Sequence, residues 1–103
     1  MMTAASLSSE ARVATETSSR YLQQLCKHWA HKLRVTHDAK QGLIEFPAGL
    51  CELKADDAAL TMKVSASEET SLPVLEDVVE RHLKRFAFRE TLDIRWTRQA
   101  ASA

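Results

Sequence analysis

Four histidines and two cysteines carry most of the chemical potential of this sequence: Cys26, His28, His31, His37, Cys51 and His82. Three of them fall within ten residues, in QQLCKHWAHK from Gln23 to Lys32. A thiolate and two imidazoles are the donors that zinc and copper prefer. A thiol beside an imidazole is also the core of a cysteine nucleophile. Spacing decides how much of this is realised. On an α-helix successive residues turn by about 100°, so His28 and His31 lie roughly 60° apart, while Cys26 lies roughly 160° from His28 and roughly 140° from His31. Cys26 is therefore predicted to face the core with Leu22 and Trp29, as small thiols commonly do. His28 and His31 share the wet flank with Gln24, Lys27 and Lys32. Two neutral imidazoles there could hold a divalent cation with a third ligand from His37 or His82, although the lysines oppose it. The plainer alternative is two polar side chains in water. His82, between Val79 and Phe86, reads as a boundary histidine, or as a base or ligand if it meets a partner.

A second constellation is Thr17-Ser18-Ser19-Arg20. Free amides, hydroxyls and a guanidinium at a helix start are suited to a phosphate or carboxylate. The same residue types also serve as ordinary helix caps. The candidate binding residues are then Ser18, Ser19, Arg20, Gln24, His28 and His31, and the metal candidates His28, His31, His37 and His82. No glycine-rich phosphate cradle, GxSxG turn or zinc spacing such as CxxC occurs, so no catalytic residue and no cofactor is assigned.

The elements that must position these groups follow from periodicity. Tyr21, Leu22, Leu25, Cys26, Trp29 and Leu33 recur at three- and four-residue steps and predict a helix from Ser18 to Leu33. Leu72, Leu75, Val79, Leu83 and Phe86 predict a second, from Ser71 to Ala87, with Pro73 confined to its first turn. Alternation marks strands: Ile44 and Phe46, then Cys51, Leu53 and Ala55, then Leu60, Met62, Val64 and Ala66. Arg34–Asp38 and Ala11–Thr15 read as further strands, and Leu92, Ile94 and Trp96 as a last one. Lys40-Gln41-Gly42, Pro47-Ala48-Gly49 and Asp56-Asp57 read as turns. Residues 1–10 and 98–103 lack a period and read as flexible tails around a single domain over 11–97. The resulting order is strand, helix, four strands, helix, strand. It predicts an α+β two-layer sandwich, an open and mostly antiparallel sheet with two helices on one face, analogous to TBP-like folds.

The bulk numbers narrow the partners. The chain has 103 residues, with 14 Lys and Arg against 14 Asp and Glu. A zero net charge disfavours a nucleic-acid binder or a polybasic membrane anchor. No apolar stretch approaches the roughly 20 residues of a membrane span, and no secretory signal is evident. A cytoplasmic protein with reduced thiols is expected.

The strings SSRYLQQLCKHWAHKL, LEDVVERHLKRFAFRE and LDIRW resemble the bacterial domain of unknown function 2218 family, over about Ala11 to Trp96. The resemblance implies no assigned activity and no agreed catalytic residues. Members of that family lie beside, or are joined to, siderophore-interacting flavin reductases, which implies a role near iron or siderophore handling and such a reductase as a protein partner. The expectation is a small accessory or binding module, more a binder than an enzyme. The alternatives are a histidine-based metal-binding protein and a small enzyme acting on an anionic substrate at Ser18, Ser19 and Arg20. A homodimer is the further partner considered.

Overall fold

Alternating side chains put one face of each strand on a core and the other in water, and this pattern builds the sheet. The structure is a computed structural model that describes residues 7–100. Its elements are β1 (Leu7–Ala14), α1 (Ser18–Ala30), β2 (Arg34–His37), β3 (Gln41–Phe46), β4 (Gly49–Ala55), β5 (Ala59–Ala66), α2 (Ser71–Phe86) and β6 (Thr97–Ala100). The six strands form one sheet in the order β2-β3-β4-β5-β1-β6, every neighbouring pair antiparallel. The first strand thus lies inside the sheet, between the fifth and the sixth. The α+β class with an open antiparallel sheet and two helices is the one the periodicity predicted. Among the described residues, no helix is long and apolar enough to cross a membrane.

The core lies between the sheet and the helix layer. Ala11, Val13, Ile44, Cys51, Leu53, Leu60, Met62 and Val64 meet Leu22, Leu25 and Cys26 of α1 and Leu72, Leu75, Val79 and Leu83 of α2. Burial of the Val, Leu, Ile and Met side chains among these contributes roughly 1.5–3 kcal/mol each in transfer free energy, the main favourable term for a sheet covered on one side. On the open face the registers line up Glu52, Lys63 and Glu10, so charges alternate in sign across three strands.

The helices end earlier than predicted, at Ala30 rather than Leu33 and at Phe86 rather than Ala87. The Pro47-Ala48-Gly49 turn is where the sequence places it, with Gly49 closing the hairpin as the first residue of β4, whereas Gly42 lies in a strand. Lys40-Gln41-Gly42 is not a turn: Asp38 Oδ1 accepts the amides of Lys40 and Gln41 at 2.8 and 2.9 Å, so the chain reverses earlier, β2 stops at His37 and β3 starts at Gln41. Gly42 is needed because α1 passes over it; a Cβ there would lie 2.6 Å from Cys26 Sγ. Gly49 opens β4 opposite Phe46, and a Cβ on it would lie 2.0 Å from the Ser65 carbonyl oxygen.

The last strand is also shifted. Leu92, Ile94 and Trp96 are half-buried against the core as the alternation predicted, but they make no ladder. Trp96 Nε1 donates to Glu80 Oε1 on α2 at 2.9 Å, tying this segment to the helix layer. The ladder comes later, where Thr97–Ala100 pairs with Leu7–Glu10. The tails are correspondingly shorter than expected, since residues 7–10 and 98–100 are sheet. The remainder of each expected tail, 1–6 and 101–103, lies outside the described residues.

Candidate ligand site at the seam of the two helices

Helices α1 and α2 lie side by side on the sheet, and the seam between them gathers aromatic and basic side chains. His28 comes from α1 and His82 from α2, with ring centroids 4.7 Å apart and planes tilted by 49°. The Trp29 ring stands 4.6 Å from His82 and 5.0 Å from Phe46 of β3. The Phe86 ring lies 5.9 Å from His28. Nδ1 of His82 is 2.6 Å from the Val78 carbonyl. A carbonyl only accepts, so the ring proton sits on Nδ1, which leaves Nε2 free with a lone pair when the ring is neutral. The His28 imidazole is held below its ordinary value of 6.5, first by desolvation and then by the charges of His82, His31, Arg85 and Lys32. Lys32 and Arg85 are fixed cations beside it. Among the described residues, neither Lys32 nor Arg85 belongs to an ion pair, whereas Arg81 and Lys84 on the same helix are paired with Asp77 and Glu80.

The other predicted residues lie as follows. His31 is exposed at the C-cap of α1. His37 ends β2 and lines a separate shallow cavity with Asp38, Glu52 and Lys54. Among the described residues, no three His, Cys, Asp or Glu side chains come together as a metal set. Gln24 is not on the wet flank: it is half-buried, and its Oε1 is enclosed without a hydrogen-bond partner. Cys26 and Cys51 are free, buried thiols. Burial pushes Cys26 up to about 11 and raises Cys51 as well, so neither is a nucleophile at neutral pH.

The start of α1 differs from an anion cradle. Ser18 Oγ donates to the Asp56 carbonyl at 2.5 Å, and Ser19 Oγ donates to the Ala39 carbonyl at 2.6 Å. These hydroxyls staple the helix to two turns of the sheet. The cavity beside them is lined by Glu16, Asp56 and Asp57 against a single Lys40, and Arg20 does not line it. The amides of Ala58 and Ala59 hold the Asp56 carboxyl below its usual range, so it stays ionised. Its field opposes an anion.

One network is absent from the sequence reading. Tyr21 OH donates to Glu90 Oε2, and the Thr15 hydroxyl donates to the same carboxylate at 3.1 Å. The Thr17 amide in turn donates to Thr15 Oγ1 at 3.1 Å. Desolvation and Glu90 raise the Tyr21 phenol above its ordinary value. The network ties the turn after α2 to the start of α1. Tyr21 sits within an apolar stripe, and its place there masks the hydroxyl.

The sequence profile of a bacterial family, described as an uncharacterized protein conserved in bacteria (DUF2218), matches residues 10–97. The chain belongs to this family. The NMR structure of PA4090 from Pseudomonas aeruginosa is 38% identical to it, with a TM-score of 0.77 over 93% of this chain and 99% of that one. No curated protein matches the chain. The DUF2218 profile spans both histidines of the seam as well as Tyr21 and Glu90.

Proposed function

We propose that this DUF2218 domain is a binding module without a reaction of its own, and that its site is the α1–α2 seam, which takes an anionic ligand. The observation that carries this is the sign of the charge there: His28 is surrounded by His82, His31, Arg85 and Lys32, and no carboxylate is among the groups that act on it. A seam of like charges is unfavourable unless a counter-charge relieves it. The exposed His28 imidazole and the half-buried Phe86 ring beside it add flat surface for a ligand with an aromatic or delocalised anionic group, over a floor formed by the buried Trp29. Among anionic ligands, a ferric siderophore chelate is the class that the family resemblance favours, with a siderophore-interacting flavin reductase as the protein partner in the cytoplasm.

A second reading has its own observation. Two imidazoles at 4.7 Å, one with its Nδ1–H held by a backbone carbonyl, are arranged like metal-ligating histidines whose second nitrogen is oriented by the protein. Such a pair would hold a divalent ion with its other positions open to water or an external ligand.

Amide NMR titrations with a ferric siderophore, inorganic phosphate and zinc separate the two. Shifts at residues 28–32 and 82–86 with either anion, removed by Lys32→Gln, support the first reading. Shifts at the same residues with zinc, removed by His82→Gln, support the second. The pH dependence runs in opposite directions. Acidification protonates His28 and strengthens anion binding, while it removes a ligand from the metal. A flat response to all three at millimolar concentration overturns both readings.

A further inference from the structure

The zero net charge of the chain is unevenly spread. Helix α1 contains no Asp or Glu. Residues 18–32 and 71–90, which build the helix layer, carry seven Lys and Arg against four Asp and Glu, whereas the rest of the chain carries seven against ten. All four acids of the layer are engaged. Arg81 holds Asp77 at 2.8 Å, Lys84 holds Glu80 at 2.9 Å and Arg98 of β6 holds Glu76 at 2.9 Å, while Glu90 accepts the Tyr21 and Thr15 hydroxyls. Arg20, Lys27, Lys32, Arg85 and Arg89 are exposed and belong to no ion pair among the described residues. The buried ridges of both helices face the sheet, so the layer turns these cations outward. It also exposes apolar groups. Val74 is 57% exposed in the first turn of α2, and Phe88 is 75% exposed in the turn beyond its end. Phe88 lines a shallow cavity with Lys84, and the Arg89 guanidinium stands 5.4 Å from the centroid of its ring.

We propose that the outer side of the helix layer docks on an anionic lipid bilayer, with these cations at the headgroup phosphates and Phe88 and Val74 entering the interface. Charge complementarity is the first argument for this occupant. The unpaired charge is all of one sign and is spread over both helices, and an anionic bilayer supplies the counter-charge over the whole layer at once. The apolar groups are the second. Val74 and Phe88 stand at opposite ends of α2 with cations between and beside them. A protein partner must offer a separate pocket to each, whereas a bilayer interface admits both. Each cation near an anionic surface is worth about fivefold in binding, so the attachment is peripheral and reversible. Only Lys32 and Arg85 are shared with the seam, and the variants below leave both in place, so a failure of docking leaves the seam reading standing.

Flotation of the full chain with phosphatidylcholine vesicles, with and without phosphatidylglycerol, tests this. The wild-type chain floats with the anionic vesicles only, and high salt releases it. Lys27→Glu weakens binding by about tenfold or more, because it replaces an attraction by a repulsion. Phe88→Ser weakens it by about tenfold and leaves the salt dependence unchanged, because the lost contribution is apolar. Lys54→Glu makes the same change of charge at an exposed position of β4, on the open face of the sheet, and leaves binding unaltered. All three positions are exposed, and unchanged amide NMR dispersion verifies folding. No flotation with anionic vesicles at low salt overturns the proposal. So does an equal loss in Lys54→Glu, which makes net charge the cause rather than this surface. Tighter binding to double-stranded DNA than to anionic vesicles at the same salt also overturns it.

Discussion

Replacing Glu76 by Gln tests how β6 is held. Glu76 lies on α2 with its side chain 12% exposed, and Arg98 on β6 grips it at two points, Nε to Oε2 at 3.0 Å and Nη2 to Oε1 at 2.9 Å. Arg98 lowers the Glu76 carboxyl below its ordinary value near 4.5, against the desolvation that raises it. Ser9 Oγ adds to the lowering by proximity, with no hydrogen bond of ordinary geometry between the two. Hydrogen bonds to charged groups contribute roughly 1.5–3 kcal/mol when desolvated. Half of the Arg98 side chain is in water, so solvent screens the pair, and Glu76→Gln is expected to cost about 1–2 kcal/mol at neutral pH. For a chain of this size that lowers Tm by about 5–10 °C. The pH dependence follows from the sign of the shift. A depressed carboxyl stabilises the fold above its unfolded value, and the contribution is lost as pH falls through the folded value. The glutamine variant lacks this dependence, so the two stabilities converge in acid. Urea unfolding of both proteins from about pH 7 to about pH 3.5 measures the gap directly. A gap that stays constant over that range, or none at neutral pH, refutes the account of how the last strand is anchored.

Two further outcomes follow from buried polar groups. Tyr21→Phe removes the hydroxyl donated to Glu90 and should cost about 1 kcal/mol. Glu90→Gln added to that variant should cost less than it does alone, because the two act as one network, and thermal melts of the four proteins test this. Cys26 and Cys51 should react with a disulfide reagent at least roughly a hundredfold slower in the folded protein than after denaturation, because burial suppresses the thiolate. Prompt labelling of either thiol at neutral pH would contradict the packing of α1 over Gly42.

Much of the architecture was legible because its signals are local. Leu60, Met62 and Val64 alternate on one strand, and Leu22, Leu25 and Trp29 repeat on one helix, so the buried face of each element can be read without its neighbours. The two layers follow, since each such face needs another to cover it. Gly42 is not legible as a strand residue, because a glycine that makes room for Cys26 looks the same in the chain as one that bends it. Leu92, Ile94 and Trp96 alternate like a strand, and their burial matched that pattern. Their ladder did not, because Trp96 is bonded to Glu80 on the helix layer.

The candidate site divides along the same line. His82 is legible as a boundary histidine of its helix, and the sequence alone determines that His28 and His31 share a flank while Cys26 faces the core. That His28 meets His82 rather than His31, that Gln24 is enclosed, and that the Ser18 and Ser19 hydroxyls are spent on Asp56 and Ala39 were decided by the tertiary structure. The physical reason is that a helical repeat sets directions only within its own helix. Which side chains meet across the seam depends on how two helices, far apart in the chain, are rotated and offset on a shared sheet. Packing across the whole core sets that offset.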